Sequence, residues 1–169
     1  MPDQREAGVQ SQSGPLSVSE SDLYVLVASR YNDFITRELI EGVTSGLKAH
    51  GAGDENIELV RVPGAMEIPL AAKWLAQSGR YCAIICLGSV IRGATTHYEV
   101  VVNACSAGVS QVGLEFGIPA IFGVLTTENI EQAIERSEMT LGNKGREFAE
   151  TAIEMVDLKR SIYGRQLRI

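Results

Sequence analysis

This chain of 169 residues is poor in the residues that hold metals or crosslinks, with three cysteines and two histidines. Cys82, Cys86 and Cys105 lie in apolar segments, with no second cysteine pair and no histidine close by. Buried thiols in a reducing compartment are expected, rather than disulfides or a metal cluster. Cations are also scarce: 15 Lys and Arg stand against 21 Asp and Glu, a net charge of -6. That balance argues against non-specific nucleic-acid binding, which wants a basic face. No apolar run is long enough to span a bilayer, so no membrane partner is expected. The N-terminus lacks the apolar core of a secretory signal, and a cytoplasmic location is expected. Internal repeats, a GxGxxG after the first strand and a nucleophile-elbow motif are all missing.

What is there is one domain's worth of chain, 45% hydrophobic. Residues 1–21, rich in Ser, Gln, Gly and Pro, read as a flexible extension that could add an edge strand to a neighbour. Residues 22–161 read as the folded domain, and residues 162–169, with Arg165 and Arg168, as a fraying tail. Leu23–Ala28 reads as the first strand, followed by a loop through Asp33, with Asn32 or Asp33 to cap a helix. Phe34, Ile35, Leu39, Val43 and Leu47 form that helix's stripe. Ile57–Val62 is a second strand whose Glu58 and Arg61 suggest an edge. Pro69 then suits the first turn of a helix with Leu70, Trp74 and Leu75 as its apolar face. Tyr81–Leu87 is a continuous apolar run, as in a parallel strand buried on both faces.

Gly88 and Gly93 are expected to bracket a tight loop leading to a helix from about His97 to Phe116. That helix has no charged residue between Glu99 and Glu115, with a stripe at Val101, Ala104, Cys105, Gly108 and Val112. Its uncharged surroundings suggest cover by another subunit. Ala120–Leu125 is the fourth strand, and Thr127 is placed to cap a short helix carrying Arg136. A last helix is expected over residues 146–160, with Phe148, Ala152, Ile153 and Val156 inward. Strands alternating with helices predict an α/β fold, a flavodoxin-like three-layer α/β/α sandwich on a four-stranded parallel sheet.

Gly88 to Thr95 has the spacing of a phosphate loop without its Lys, which rules out a nucleotide triphosphate site. The backbone there could hold a single phosphate or form only a tight turn. His97 sits at a helix start, where the dipole disfavours imidazolium and favours use as a base. His50, at a helix end, reads as solvated. Arg136 and Lys144 taken singly read as surface charges. Glu67 lies in an apolar loop and wants a polar partner or a ligand. Tyr31 and Phe122 could be core aromatics or a stacking surface for a flat ligand. Together these suit acid–base chemistry on a phosphorylated small molecule beside a planar one.

Five segments in order, Tyr31–Thr36, Pro63–Pro69, Gly88–Glu99, Phe122–Asn129 and Gly142–Gly145, resemble the 6,7-dimethyl-8-ribityllumazine synthase family of riboflavin biosynthesis. The resemblance implies condensation of 5-amino-6-ribitylamino-uracil with 3,4-dihydroxy-2-butanone 4-phosphate, releasing phosphate and water, with no metal or organic cofactor. It implies that His97 transfers protons and that Arg136 holds the phosphate, with loop contacts from Gly93, Ala94, Thr95 and Thr96. By the same likeness Tyr31 stacks on the pyrimidine. Asn32, Ala65, Met66 and Glu67 bind the ribityl chain and ring, and Ser89, Val90 and Ile91 offer backbone contacts. Phe122 and Lys144 close the pocket from a neighbouring subunit, and Glu147 is the acidic residue near the histidine. Tyr31 and Met66 stand where many members have Phe, and Thr140 where some have Lys. The resemblance also implies a homopentamer, in many members built into a shell of about sixty subunits, with riboflavin synthase as a further partner. A flavin-binding shell protein that has kept the fold without the activity is the competing expectation. A flavodoxin-type electron carrier fits poorly, because Ser29–Asn32 lacks a hydroxyl- and glycine-rich phosphate cradle.

Overall fold

The computed structural model describes residues 5–6, 9–10 and 16–166. Arg5–Glu6 (β1) and Val9–Gln10 (β2) form a short antiparallel pair. The main sheet comprises Tyr24–Ser29 (β3), Ile57–Val62 (β4), Ala83–Ile91 (β5) and Ala120–Thr127 (β6). Its order is β4-β3-β5-β6 and every pairing is parallel. The helices are Asp33–Ala49 (α1), Ile68–Gln77 (α2), His97–Phe116 (α3), Ile130–Ser137 (α4) and Lys144–Gln166 (α5). Each strand is followed by a helix, so the chain makes the expected α/β/α sandwich. One apolar layer joins alternate residues of β3 and β5 to α1, α4 and α5. The other joins the remaining residues of those strands to α2 and α3. β5, buried from Ala83 to Ser89, contains most of the continuous apolar run Tyr81–Leu87 that predicts a strand covered on both faces, and β3 beside it is buried throughout. β4 is an edge, with Leu59 half exposed.

Several boundaries differ from the sequence reading. The stretch from Val18 to Ser21, expected to belong to the flexible extension, is tied down together with Asp22. Val18 donates its N–H to His50 O at 2.9 Å, and Asn56 Nδ2 donates to Asp22 O at 2.7 Å. Buried Asp22 also pairs with Arg160 of α5. The rest of the extension lies mostly outside the described residues. At the other end α5 continues to Gln166, so most of the predicted tail is helix. Gly88 does not open a loop, because β5 runs on to Ile91. A Cβ at Gly88 would sit 2.8 Å from Ser29 Oγ, so the glycine serves close approach within the sheet. Thr127 is the last residue of β6. Asn129 caps α4 instead, its Oδ1 accepting the N–H of Gln132 at 2.9 Å.

Three helical faces were also misread. Leu70 and Trp74 point to solvent, and Ile68, Ala71 and Ala72 make the buried face of α2. On α3 the buried positions are Cys105, Val109 and Val112, while Ala104 is exposed and Val101 and Gly108 are half-buried. Phe34 is exposed, outside the stripe Ile35, Leu39, Val43 and Leu47. In each case the apolar residues outnumber the positions that one chain can cover.

Candidate active site

β5 is longer than its inner neighbour, and the site follows from that. The β3–β5 ladder ends at Ala28↔Leu87, while the β5–β6 ladder continues to Ile91↔Thr127. Ile84 and Arg92 both donate to the β6 side, to Pro119 O and Thr127 O. In a parallel ladder, alternate residues bond to opposite neighbours. Ser89 and Ile91 therefore turn their backbone groups away from β6, past the end of β3. Ser89 O accepts Asn32 Nδ2 at 2.9 Å. The buried Ser89 Oγ has no hydrogen-bond partner among the described residues.

The space beyond the end of β3 is an open cavity of about 520 Å³. Tyr31, Asn32, Ala65, Met66, Glu67, Ser89, Val90, Ile91, Gly93, Thr95 and His97 all line it. Four more lining residues, Ser29, Gly64, Tyr98 and Val101, were not singled out from the sequence. Ser29 and Tyr98 were findable, as the end of the first strand and the aromatic next to His97.

The turns that deliver these side chains have local causes. Asn32 adopts left-handed backbone (φ 56°, ψ 45°), which Asn tolerates better than most residues. It occupies the cap position of α1, yet its side chain makes no cap bond and reaches across to β5. Tyr31 is thereby presented to solvent, 73% exposed, its ring free on the cavity rim. Arg30 and Tyr31 donate backbone N–H groups to Val62 O and Pro63 O, which fixes this turn to the end of β4. A single helical turn over Ala65–Glu67 then precedes α2. Glu67 Oε2 accepts the Gly64 N–H at 2.9 Å, the polar partner that its apolar setting called for.

At the far wall, Gly93 to His97 are exposed, and α3 starts without a side-chain cap. Thr96 caps none of the first N–H groups of α3, the His97 N–H makes only a long contact with Thr95 Oγ1 at 3.4 Å, and His97 stands at the positive end of the helix. Ala94 and Thr96 belong to this loop without lining the cavity.

The remaining candidates are elsewhere. Among the described residues, no Lys or Arg lines the cavity. Arg136, exposed in the last turn of α4, donates to Gln132 O at 3.0 Å on its own helix. Lys144 Nζ lies 2.8 Å from Glu147 Oε2 at the start of α5. Phe122 is half-buried on β6 against the α2–α3 layer. So within one chain Arg136, Lys144, Glu147 and Phe122 do not meet His97. The thiols take no part: burial pushes Cys82 and Cys105 up to about 11 and Cys86 higher still.

A cleft at the carboxyl ends of parallel strands, where free backbone edges meet a helix start, defines a ligand-binding protein of the open α/β class. Its particular branch is the 6,7-dimethyl-8-ribityllumazine synthase family, to which the chain belongs: the family's sequence profile matches residues 23–160. A protein of Desulfotalea psychrophila (strain LSv54 / DSM 12343) named 6,7-dimethyl-8-ribityllumazine synthase is 56% identical over 135 residues, 80% of this chain and 87% of that one.

Proposed function

We propose that this chain condenses 5-amino-6-ribitylamino-uracil with 3,4-dihydroxy-2-butanone 4-phosphate, working as a homopentamer in which each site is completed by a neighbour. The observation that carries this reading is the cavity itself. It gathers His97, the Tyr31 ring and the free edge of β5, but no Lys or Arg among the described residues. The backbone groups that Ser89 and Ile91 turn away from β6 suit the polar edge of a pyrimidine, beside the Asn32 amide that already holds Ser89 O, and Tyr31 supplies a face to stack on. Asn32 and the Ala65–Glu67 turn flank the space left for a ribityl chain. Gly93 to Thr96 and the start of α3 offer N–H groups to a phosphate. His97 moves protons as the imine forms, phosphate departs and the ring closes.

A phosphate dianion in a cavity without Lys or Arg lacks its strongest partner. Arg136 and Lys144 of a second copy supply that charge, with Phe122 closing the ring site and Glu147 holding Lys144. The uncharged outer face of α3 is the surface through which copies pack. A closed shell of pentamers, association with riboflavin synthase and a cytoplasmic location extend the same reading.

The test mixes the purified protein with both substrates and follows lumazine fluorescence and phosphate release. Product formation is expected, and binding of flavin without turnover would favour the flavin-binding shell protein. His97→Ala is expected to lower kcat by roughly a hundredfold or more without unfolding the chain. Arg136→Ala should mainly raise KM for the phosphate substrate. Assembled together in equal amounts and assayed at a phosphate-substrate concentration where Arg136→Ala alone is nearly inactive, the two variants should recover roughly one quarter of wild-type activity, since sites built head-to-tail take each group from a different chain. No recovery would place both groups in one chain and overturn the shared site.

A further inference from the structure

We infer that Arg92 is a positioning residue for the reaction proposed above, on which this inference rests: it holds the 93–96 loop in the shape that receives the phosphate-bearing substrate. Arg92 is the first residue after β5 and immediately precedes the loop. Its backbone N–H makes a bond past the strand end, to Thr127 O at 2.9 Å. Its guanidinium then reaches three anchors. Nη1 bonds Glu99, in the first turn of α3. Nε lies 2.8 Å from Glu128 Oε2, in the turn between β6 and α4. The guanidinium carbon stands 4.3 Å from the centroid of Tyr98, which lines the cavity beside His97.

The loop has little else to shape it. Thr96 makes no side-chain cap bond, a Cβ at Gly93 would meet nothing, and the contact from His97 N–H to Thr95 Oγ1 is long, at 3.4 Å. One planar fork therefore grips the loop from its strand end and from the helix turn just beyond His97. Two carboxylates already surround this cation, so it has no net positive charge to offer an anion, and its contribution is geometric. Hydrogen bonding to Glu99 holds Arg92 above its ordinary value, and the same bond holds the Glu99 carboxyl below the usual range. The pair therefore stays ionised near neutrality. Lysine could match the charge, but not two separate carboxylates together with a stacked ring. Exposed pairs of this kind contribute little to global stability, so their loss should leave the fold intact.

The experiment compares wild type, Arg92→Lys and Arg92→Met in steady state with both substrates, and measures binding of inorganic phosphate by calorimetry. Both variants are expected to raise KM for the butanone phosphate roughly tenfold, as a misplaced loop should. They should leave KM for the pyrimidine unchanged and weaken phosphate binding in parallel. Glu128→Gln, which removes one anchor, should move the same quantities less. A purely structural residue would lower the active fraction and leave both KM values where they were. That result, full rescue by Arg92→Lys, or unchanged phosphate binding in Arg92→Met would overturn the inference. If wild type forms no lumazine, the reaction is wrong, and phosphate binding alone then decides the role of Arg92: weakened binding supports it, and unchanged binding overturns it.

Discussion

The two faces of the sheet are finished to different degrees. The layer of α1, α4 and α5 is closed toward the sheet and largely charged outside it, although Phe34, Ile130, Met155, Ile162 and Tyr163 of these helices are exposed. Leu39, Val43, Leu47, Ala149, Ala152 and Ile153 are fully buried there. Gly46 lets α5 approach so closely that a Cβ would come within 2.8 Å of the Ala149 Cβ. Arg37, Glu41, Lys48, Arg146, Glu150 and Glu154 carry charge on the exposed side, as a water-facing helix should. The layer of α2 and α3 is close-packed inside, where Gly108 accommodates Pro69, yet open outside. Leu70, Trp74, Val100 and Leu114 are exposed, the last at 84%. Exposed apolar area with little charge beyond the Lys73–Glu115 pair wants a partner, and the cavity lies at the end of this same layer. On the function proposed above, incomplete cover and incomplete charge share one remedy, a second copy.

Breaking the closed face should have the largest effect on the chain itself. Leu39→Ala removes a wholly buried side chain between the sheet and α5. It should cost about 3 kcal/mol in denaturant unfolding, since a rigid layer leaves a cavity. On the open face the same measurement should hardly move. Ala107→Glu adds a carboxylate to the exposed, uncharged side of α3 and should change the unfolding of an isolated chain by less than about 0.5 kcal/mol. Its effect belongs to assembly: light scattering should show the mass falling toward the 18.2 kDa of one chain. A full-sized particle from Ala107→Glu would show that the open face is not where copies meet.

The same contrast explains which parts of the sequence could be read. On the closed face, period and burial coincide, so the strands and the stripe from Ile35 to Leu47 were legible. On the open face, Leu70 and Trp74 have helical spacing but face outward. Periodicity shows that a residue seeks cover, and it does not say whether its own chain provides it. Tyr31, Glu67, the Gly93–Thr96 loop and His97 were legible because they sit at strand ends, where small residues, a helix start and a histidine coincide, whereas Ala65, Met66 and Ser89–Ile91 came only with the family resemblance. Gly88 misled because glycine marks loops far more often than close sheet contacts, and its neighbour Ser29 is distant in sequence. The roles of Asn32 and Arg92 were hidden for a related reason. Asn32 looked like a helix cap until Ser89 O was found against its amide. Nothing in the sequence sets Arg92 apart, because its three anchors come from separate elements. Arg136 and Lys144 carry no signal of their own, since a surface cation reads alike whether it faces water or another chain's cavity.

The smallest effect lies at the seam between the closed layer and the edge strand. Asp33, in the first turn of α1, pairs with Arg61 of β4 and with Arg37 one turn on. It follows the Tyr31–Asn32 turn directly, so the pair steadies one wall of the cavity. Hydrogen bonding to Arg61 first, then charge and the bond to Arg37, outweigh desolvation and hold the Asp33 carboxyl below the usual range. The native state therefore binds this proton less tightly than the unfolded chain does. The resulting stability is fully present above the unfolded value, about 3.9, and is lost as pH falls through the lower folded one. Asp33→Asn should melt slightly below wild type at neutral pH, with the two curves converging in acid. A gap that stays constant into acid would mean that the side chain acts by packing and not by charge. A gap that closes while KM for the pyrimidine rises in the variant would tie this ion pair to the placement of Tyr31.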